Sequence, residues 1–264
     1  MKVALVQVAS PDGETQAERI ARVEQTLRGL NGVDLIVLPE LWSAGYFHFD
    51  DYASLAETMD GPTVTMCSRV ARDLQAHVHL GSIVETSGNG QLKNTSILLS
   101  PEGRVIHSYS KVHVFGYQSL ESKLLTPGSA LPVVQTPFGR VTGTTCYDLR
   151  FPGLWMELSK RGVELVIVPA AWPAARREHW RLLTSARALE HQIFVLACNA
   201  VGEQAGVTLG GHSRVVDPSG VVLAEAGDEE EVLIVDIDPD QVRATREEFP
   251  VLADRLPAYD HLTN

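Results

Sequence analysis

Short, unbroken apolar runs bounded by turn residues constrain this chain more than any other feature. Residues 3–8, 33–38 and 163–168 are built mostly of Val, Ile and Leu and are too short for an all-round apolar helix. Such runs read as strands buried on both faces, which requires a sheet covered by a layer on each side. Between them, residues 14–30 carry Ala17, Ile20, Val23, Leu27 and Leu30 at helical spacing, and residues 63–76, 155–161 and 178–191 read as further helices.

Hairpins interrupt this alternation. Residues 77–84 and 94–99 flank the turn Ser87-Gly88-Asn89-Gly90, Pro101-Glu102-Gly103 leads into 105–108, and 133–135 pairs with 141–145 across Pro137-Phe138-Gly139. Residues 193–198, 211–216, 221–224 and 232–236 complete the strands. Buried strands interleaved with hairpins and amphipathic helices predict an α/β fold, a four-layer αββα sandwich of two mixed β-sheets flanked by helices. The chain has 264 residues, and at about 150 residues per domain that length suits one or two domains. No Gly/Ser linker or charge block marks a boundary, so residues 1–264 read as one domain, with 250–264 as a tail.

Charge and cysteine content exclude several function classes. Lys and Arg number 22 against 33 Asp and Glu, a net charge of −11. Nucleic-acid binding rests on clustered positive charge, so that role is not expected. An anionic small substrate stays open, because one local Arg or Lys can reverse the field inside a pocket. Cys67, Cys146 and Cys198 are too few and too scattered for a disulfide framework or a zinc ribbon, and suit a reducing compartment. The run at 3–8 lacks a signal-peptide cleavage site, and no stretch approaches the ~20 apolar residues that span a bilayer. A cytoplasmic protein with no membrane or nucleic-acid partner is the expectation.

Three strands end in reactive residues: 33–38 delivers Glu40, 105–110 delivers Lys111, and 141–145 delivers Cys146. In α/β proteins functional groups gather just beyond strand ends. Together the three make a workable amide hydrolase, because a thiol attacks as thiolate, an ammonium favours that thiolate and a carboxylate takes its proton. Glu40 would be general base and then general acid, while Lys111 and the backbone N–H of Tyr147 would stabilise the oxyanion.

The segments Leu38-Pro39-Glu40-Leu41, Tyr109-Ser110-Lys111-Val112-His113 and Thr145-Cys146-Tyr147-Asp148-Leu149-Arg150-Phe151-Pro152 resemble, in order, those of the nitrilase, or carbon–nitrogen hydrolase, superfamily. The likeness continues through Val166-Ile167-Val168-Pro169-Ala170-Ala171-Trp172-Pro173 and Gly211-His212-Ser213-Arg214-Val215-Val216-Asp217-Pro218. It implies a triad of Glu40, Lys111 and Cys146, with Glu121 as a second acidic residue that holds Lys111. It also implies an amidase acting on small omega-amides without a cofactor or metal, and a homodimer to which the 178–191 helix and the 250–264 tail contribute. Gly116 and Gly153 depart from the family pattern, which commonly has Asp and Glu there.

Trp172, Tyr46, Phe115 and Tyr147 are candidate pocket walls, and Arg176 or Arg177 a receptor for a substrate carboxylate. Asp148 and Arg150 read as a pair that positions the turn after Cys146. His77 and His79 would face one side of a strand, but no third metal ligand accompanies them, and His113 would stand behind the site. Hydrolysis of N-carbamoyl acids or nitriles would use the same triad, and a catalytically silent scaffold is the alternative from another class.

Overall fold

The computed structural model describes residues 1–256. Strand β1 (Lys2–Gln7) is followed by helix α1 (Gln16–Arg28), β2 (Leu35–Val37), helices α2 (Tyr52–Leu55) and α3 (Pro62–Leu74), and strands β3 (His77–Ser87), β4 (Gln91–Leu99) and β5 (Val105–Ser110). Helix α4 (Glu121–Leu124), β6 (Val134–Thr136), β7 (Gly139–Gly143), α5 (Pro152–Lys160), β8 (Leu165–Ala170), α6 (Arg177–His191) and β9 (Phe194–Asn199) come next. A hairpin β10 (Val201–Gln204) and β11 (Val207–Gly210), then β12 (Arg214–Val216), β13 (Val222–Glu225), β14 (Glu231–Asp236) and α7 (Gln241–Glu248), complete the chain.

The strands form two mixed six-stranded sheets, ordered β14-β1-β2-β3-β4-β5 and β13-β12-β9-β8-β7-β6. In the first, β1, β2 and β3 run parallel; in the second, β7, β8 and β9 do. The period-2 side-chain alternation of strand β1 divides its apolar residues between two layers. Ala4 and Val6 pack against Val23 and Leu27 of α1 and Val64 and Val70 of α3. Val3 and Leu5 instead join Val141, Leu165, Ile167 and Leu196 of the other sheet. On that sheet's outer face, Val166 and Val168 meet Trp155 of α5 and Trp180 of α6. The result is the expected four layers, helices outside and two sheets back to back.

Helix α1 starts where a capping box forms between Thr15 and Glu18, satisfying two otherwise free N–H groups. Helix α5 begins at Pro152, three residues before the apolar pattern predicts, because a proline at the first helical position loses no bond. The expected strand at 211–216 is regular only over Arg214–Val216, and the hairpin β10–β11 was not anticipated. Among the described residues no helix is long and apolar enough to cross a membrane. The tail expected as an interface arm is described only to residue 256; 257–264 lie outside the described residues.

The parallel strands deliver the site. Glu40 lies three residues beyond β2, Cys146 three beyond β7, and Ala171-Trp172 directly beyond β8, while Lys111 follows β5. Two glycines allow the backbone to pass closely there. A Cβ on Gly81 (φ +75) would sit 1.8 Å from the Pro39 carbonyl oxygen, and one on Gly128 would sit 2.1 Å from that of Ser110. The first admits the Pro39-Glu40 segment; at the second, the Gly128 amide donates to the Lys111 carbonyl at 2.9 Å.

Candidate active site

Glu40, Lys111, Glu121 and Cys146 converge from both sheets into one buried cluster. Lys111 Nζ donates to Glu40 Oε1 at 2.8 Å and to Glu121 Oε1 and Oε2 at 2.9 and 3.1 Å, with all three side chains closed to solvent. Glu40 Oε2 accepts from the Ala171 N–H at 3.0 Å, and the Glu40 carboxyl lies near enough to Cys146 for its charge to raise the thiol. Glu121 differs from Glu40 in how fully it is used. Besides Lys111 it accepts from the Tyr46 hydroxyl and the Phe115 N–H, both at 2.8 Å, and from Asn94 Nδ2 at 3.3 Å. A carboxylate offers about four acceptor positions, and on Glu121 all are taken.

The charge of Lys111 does favour the Cys146 thiolate, but burial, followed by the charge of Glu40, outweighs it and pushes the thiol well above its ordinary value. The ammonium is already shared between two carboxylates, so the cluster holds one net negative charge and a thiolate would add another. Burial likewise raises Glu40, with Lys111 opposing and Glu121 adding to the rise. Burial works against the charge on Lys111, but Glu121 and Glu40 together hold its value well above that of a free lysine.

The turn carrying Cys146 is held from several directions. Cys146 has φ +46, a left-handed conformation uncommon for a non-glycine residue and found where surrounding structure enforces it. Asp148 supplies that enforcement. Its carboxylate accepts from the Thr145 and His113 N–H groups, both at 3.0 Å, and from the Tyr109 hydroxyl at 2.7 Å. Since Tyr109 and His113 flank Lys111 in sequence, Asp148 ties the lysine loop to the cysteine turn. His113 stacks on Phe151, with ring centroids 3.7 Å apart.

Above Cys146 is a cavity of about 40 Å3 whose wall includes Tyr46, Phe47, Phe115, Tyr147, Trp172 and Arg176, together with Ala171, Pro173 and Arg150. Asp148 and Arg150 do not form the pair that the sequence suggested. The Arg150 guanidinium lies over the Trp172 ring, 4.6 Å from its centroid, and donates to His179 Nδ1 at 3.1 Å. Arg177 also leaves the picture, because it pairs with Asp228. Trp172 is fixed through its backbone: its N–H donates to Asn199 Oδ1 at 2.7 Å and its carbonyl accepts from Gly210 N–H at 2.7 Å.

Sequence reasoning missed Asn94, Asn199 and the pocket role of Arg150. Asn199 stands as the polar residue of an otherwise apolar strand, an irregularity that would have marked it, whereas Asn94 sits among the polar residues Lys93, Thr95 and Ser96 and gave no such signal. His77 and His79 do share a face, His77 against Phe138 and His79 beside Gly143 between the sheets. Burial pushes His79 down to about 3 and His107 down to about 4. Among the described residues no three His, Cys, Asp or Glu side chains converge as metal ligands would. Of the two departures, a Cβ on Gly116 would come within 3.2 Å of Ser122 Oγ, whereas one on Gly153 meets open space.

Comparison with known proteins places the chain in one family. The carbon–nitrogen hydrolase family model matches residues 2–247. The chain is 41% identical to a 2-oxoglutaramate amidase of Paenarthrobacter nicotinovorans, over 97% of this chain and 89% of that protein. It superposes on Nit3 of Saccharomyces cerevisiae, a member of branch 10 of the nitrilase superfamily, with TM-score 0.84 and 30% identity, covering 95% and 94% of the two chains. It is also similar to the amidase of Nesterenkonia sp. AN1 in a form with acrylamide added at the active-site cysteine (TM-score 0.82, 28% identity, 96% and 99% covered). The motifs, the two-sheet architecture and these relatives agree: the chain belongs to the carbon–nitrogen hydrolase family and is an enzyme that hydrolyses carbon–nitrogen bonds.

Proposed function

We propose that the chain is an amidase that releases ammonia from small omega-amides bearing a carboxylate, through a thioester on Cys146. The observation that carries this reading is the buried cluster at the base of the cavity, in which burial and the charge of Glu40 keep the Cys146 thiol neutral beside Glu40 and Lys111. Glu40 takes the thiol proton as Sγ attacks the amide carbon, then gives it to the departing nitrogen, so that ammonia leaves and a thioester stays. A water molecule loses its proton to Glu40 and attacks the thioester, releasing the carboxylic acid and returning the proton to sulfur. Lys111 directs its three N–H bonds to three carboxylate oxygens, one on Glu40 and two on Glu121, and it serves the oxyanion by giving up the longer of its two contacts to Glu121, aided by the Tyr147 N–H. Glu121 keeps Lys111 in place.

Arg150 and Arg176 supply the substrate preference. Both line the cavity, and among the described residues neither pairs with a carboxylate. An ammonia-release screen over short omega-amides with and without a terminal carboxylate, N-carbamoyl acids and nitriles tests the reading. Ammonia from anionic amides is expected, and turnover confined to nitriles or carbamoyl acids overturns it. Arg150→Ala or Arg176→Ala should lower kcat/KM for anionic amides by about 10-fold or more relative to neutral ones, the worth of a charged hydrogen bond. An unchanged ratio in both variants removes the carboxylate.

Since the first sheet supplies Glu40 and Lys111 and the second Cys146, one domain is the working unit. The chain is further read as a cytoplasmic homodimer. Three free cysteines fit that compartment, and α6 leaves Leu182 and Leu189 exposed at 69% and 57%. Sedimentation equilibrium should give twice the chain mass, and a monomer at all concentrations refutes the dimer.

A further inference from the structure

We propose that Asn94 is a positioning residue that decides which oxygen of Glu40 receives the Cys146 proton. The inference rests on the base role of Glu40 proposed above and adds a residue to it. Asn94 stands on β4, 1% exposed, and its side-chain amide reaches across to both carboxylates of the cluster. Nδ2 donates to Glu40 Oε1 at 2.8 Å and to Glu121 Oε1 at 3.3 Å. Its backbone carbonyl accepts from the Lys111 N–H at 2.8 Å, so one residue touches the base, the lysine loop and the second carboxylate.

The amide can face only one way. Turning it over would set Oδ1 against two carboxylate oxygens, replacing two attractions by two repulsions. As it stands, Oδ1 has no partner among the described residues. A buried amide that leaves its own oxygen unpaired so that its NH2 group can serve two carboxylates is a costly arrangement, and packing alone would not require it.

Counting acceptor positions on Glu40 gives the role. Each carboxylate oxygen offers about two. On Oε1 both are filled, by Lys111 Nζ and Asn94 Nδ2, each at 2.8 Å. On Oε2 the Ala171 N–H fills one, which leaves the other for the thiol proton. Without Asn94, Oε1 would have a free position of its own, and the proton could settle there, beside Lys111 and away from sulfur. The charged groups around Glu40 come from every side: Lys111 after β5, Glu121 on α4 and Cys146 after β7. The Tyr46 hydroxyl bonds to Glu121 beside it, and the Tyr52 hydroxyl to the Tyr46 carbonyl. Asn94 is the neutral member that breaks the symmetry between the two oxygens.

The test compares pH profiles of kcat/KM for the full chain, Asn94→Ala and Asn94→Asp. Removing a donor from a charged carboxylate raises its pKa. The acid limb of Asn94→Ala should therefore move up by about one pH unit, and kcat should fall by about 10- to 100-fold with KM little changed. Asn94→Asp keeps the volume and removes the NH2 donor, so it should be at least as impaired, whereas a packing role predicts that it recovers what alanine loses. The position of the limb does not depend on how much protein is folded, and Asn94→Asp carries the test if the alanine variant does not fold. An unmoved acid limb, or recovery in Asn94→Asp, overturns the proposal. Turnover persisting in Glu40→Gln would instead overturn the base assignment itself.

Discussion

Glu40→Gln is expected to lower kcat/KM by about 10²–10⁴-fold, the range that positioned proton transfer contributes. The substitution keeps the shape of the side chain but not its acceptor set. If the glutamine oxygen stays with Lys111 and Asn94, its NH2 group faces the Ala171 N–H, donor against donor, where Oε2 accepted at 3.0 Å. No lone pair then remains for the thiol proton in acylation or for the water proton in thioester hydrolysis. The thiol itself should stay reactive. Burial is the larger cause of its raised value and the charge of Glu40 the next, so removing that charge makes the thiol more acidic, not less. Alkylation of Cys146 followed by intact mass should therefore persist in the variant while ammonia release collapses. Turnover within 10-fold of the parent, or loss of alkylation together with turnover, would remove Glu40 as the base.

Lys111→Met should have an effect on stability as well as on activity. With both flanking carboxylates fully buried, deleting the ammonium leaves two like charges together, and breaking a buried pair in this way costs about 3–5 kcal/mol. Glu40, which burial already raises and Lys111 holds down, responds by taking up a proton. Its folded-state pKa then lies above the unfolded one, so the folded form binds more protons over that interval and stability falls as pH rises through it. Chemical denaturation should find the variant closest to its parent near pH 5 and furthest from it near pH 8. A variant as stable as its parent at pH 8, or one that weakens toward pH 5, would contradict the shared-ammonium picture.

Much of this was legible in the chain because it is local. Runs such as Val3–Val6 and Val166–Val168 must be buried on both faces, and two such sets of strands with amphipathic helices allow few arrangements. Glu40, Lys111 and Cys146 were visible because each follows a strand, and a strand end is a position that sequence can locate. Glu121 was visible only through family likeness, since α4 has four residues and no periodicity to find. Element ends were less secure: Pro152 moved the start of α5, and the β10–β11 hairpin turns at Ala205-Gly206, where Ala205 itself has φ +48.

Arg150 illustrates the other kind of limit. Two residues from Asp148, it looked like that aspartate's partner, yet Asp148 is occupied by donors from Tyr109, His113 and Thr145. The guanidinium turns instead to the face of Trp172, 22 positions further along the chain.

The sequence by itself determined the layers, the strand ends and the three reactive groups placed at them, because burial and turn chemistry act over a few neighbouring residues. Only the tertiary structure decided the state of those groups. The raised Cys146 thiol depends on burial and on the charge of Glu40, and which acceptor positions of Glu40 and Glu121 are filled depends on donors that arrive from Asn94, Ala171, Tyr46 and Phe115. Those residues are distant in sequence, and electrostatics in a dry cluster is set by what lies within about 4–6 Å in space.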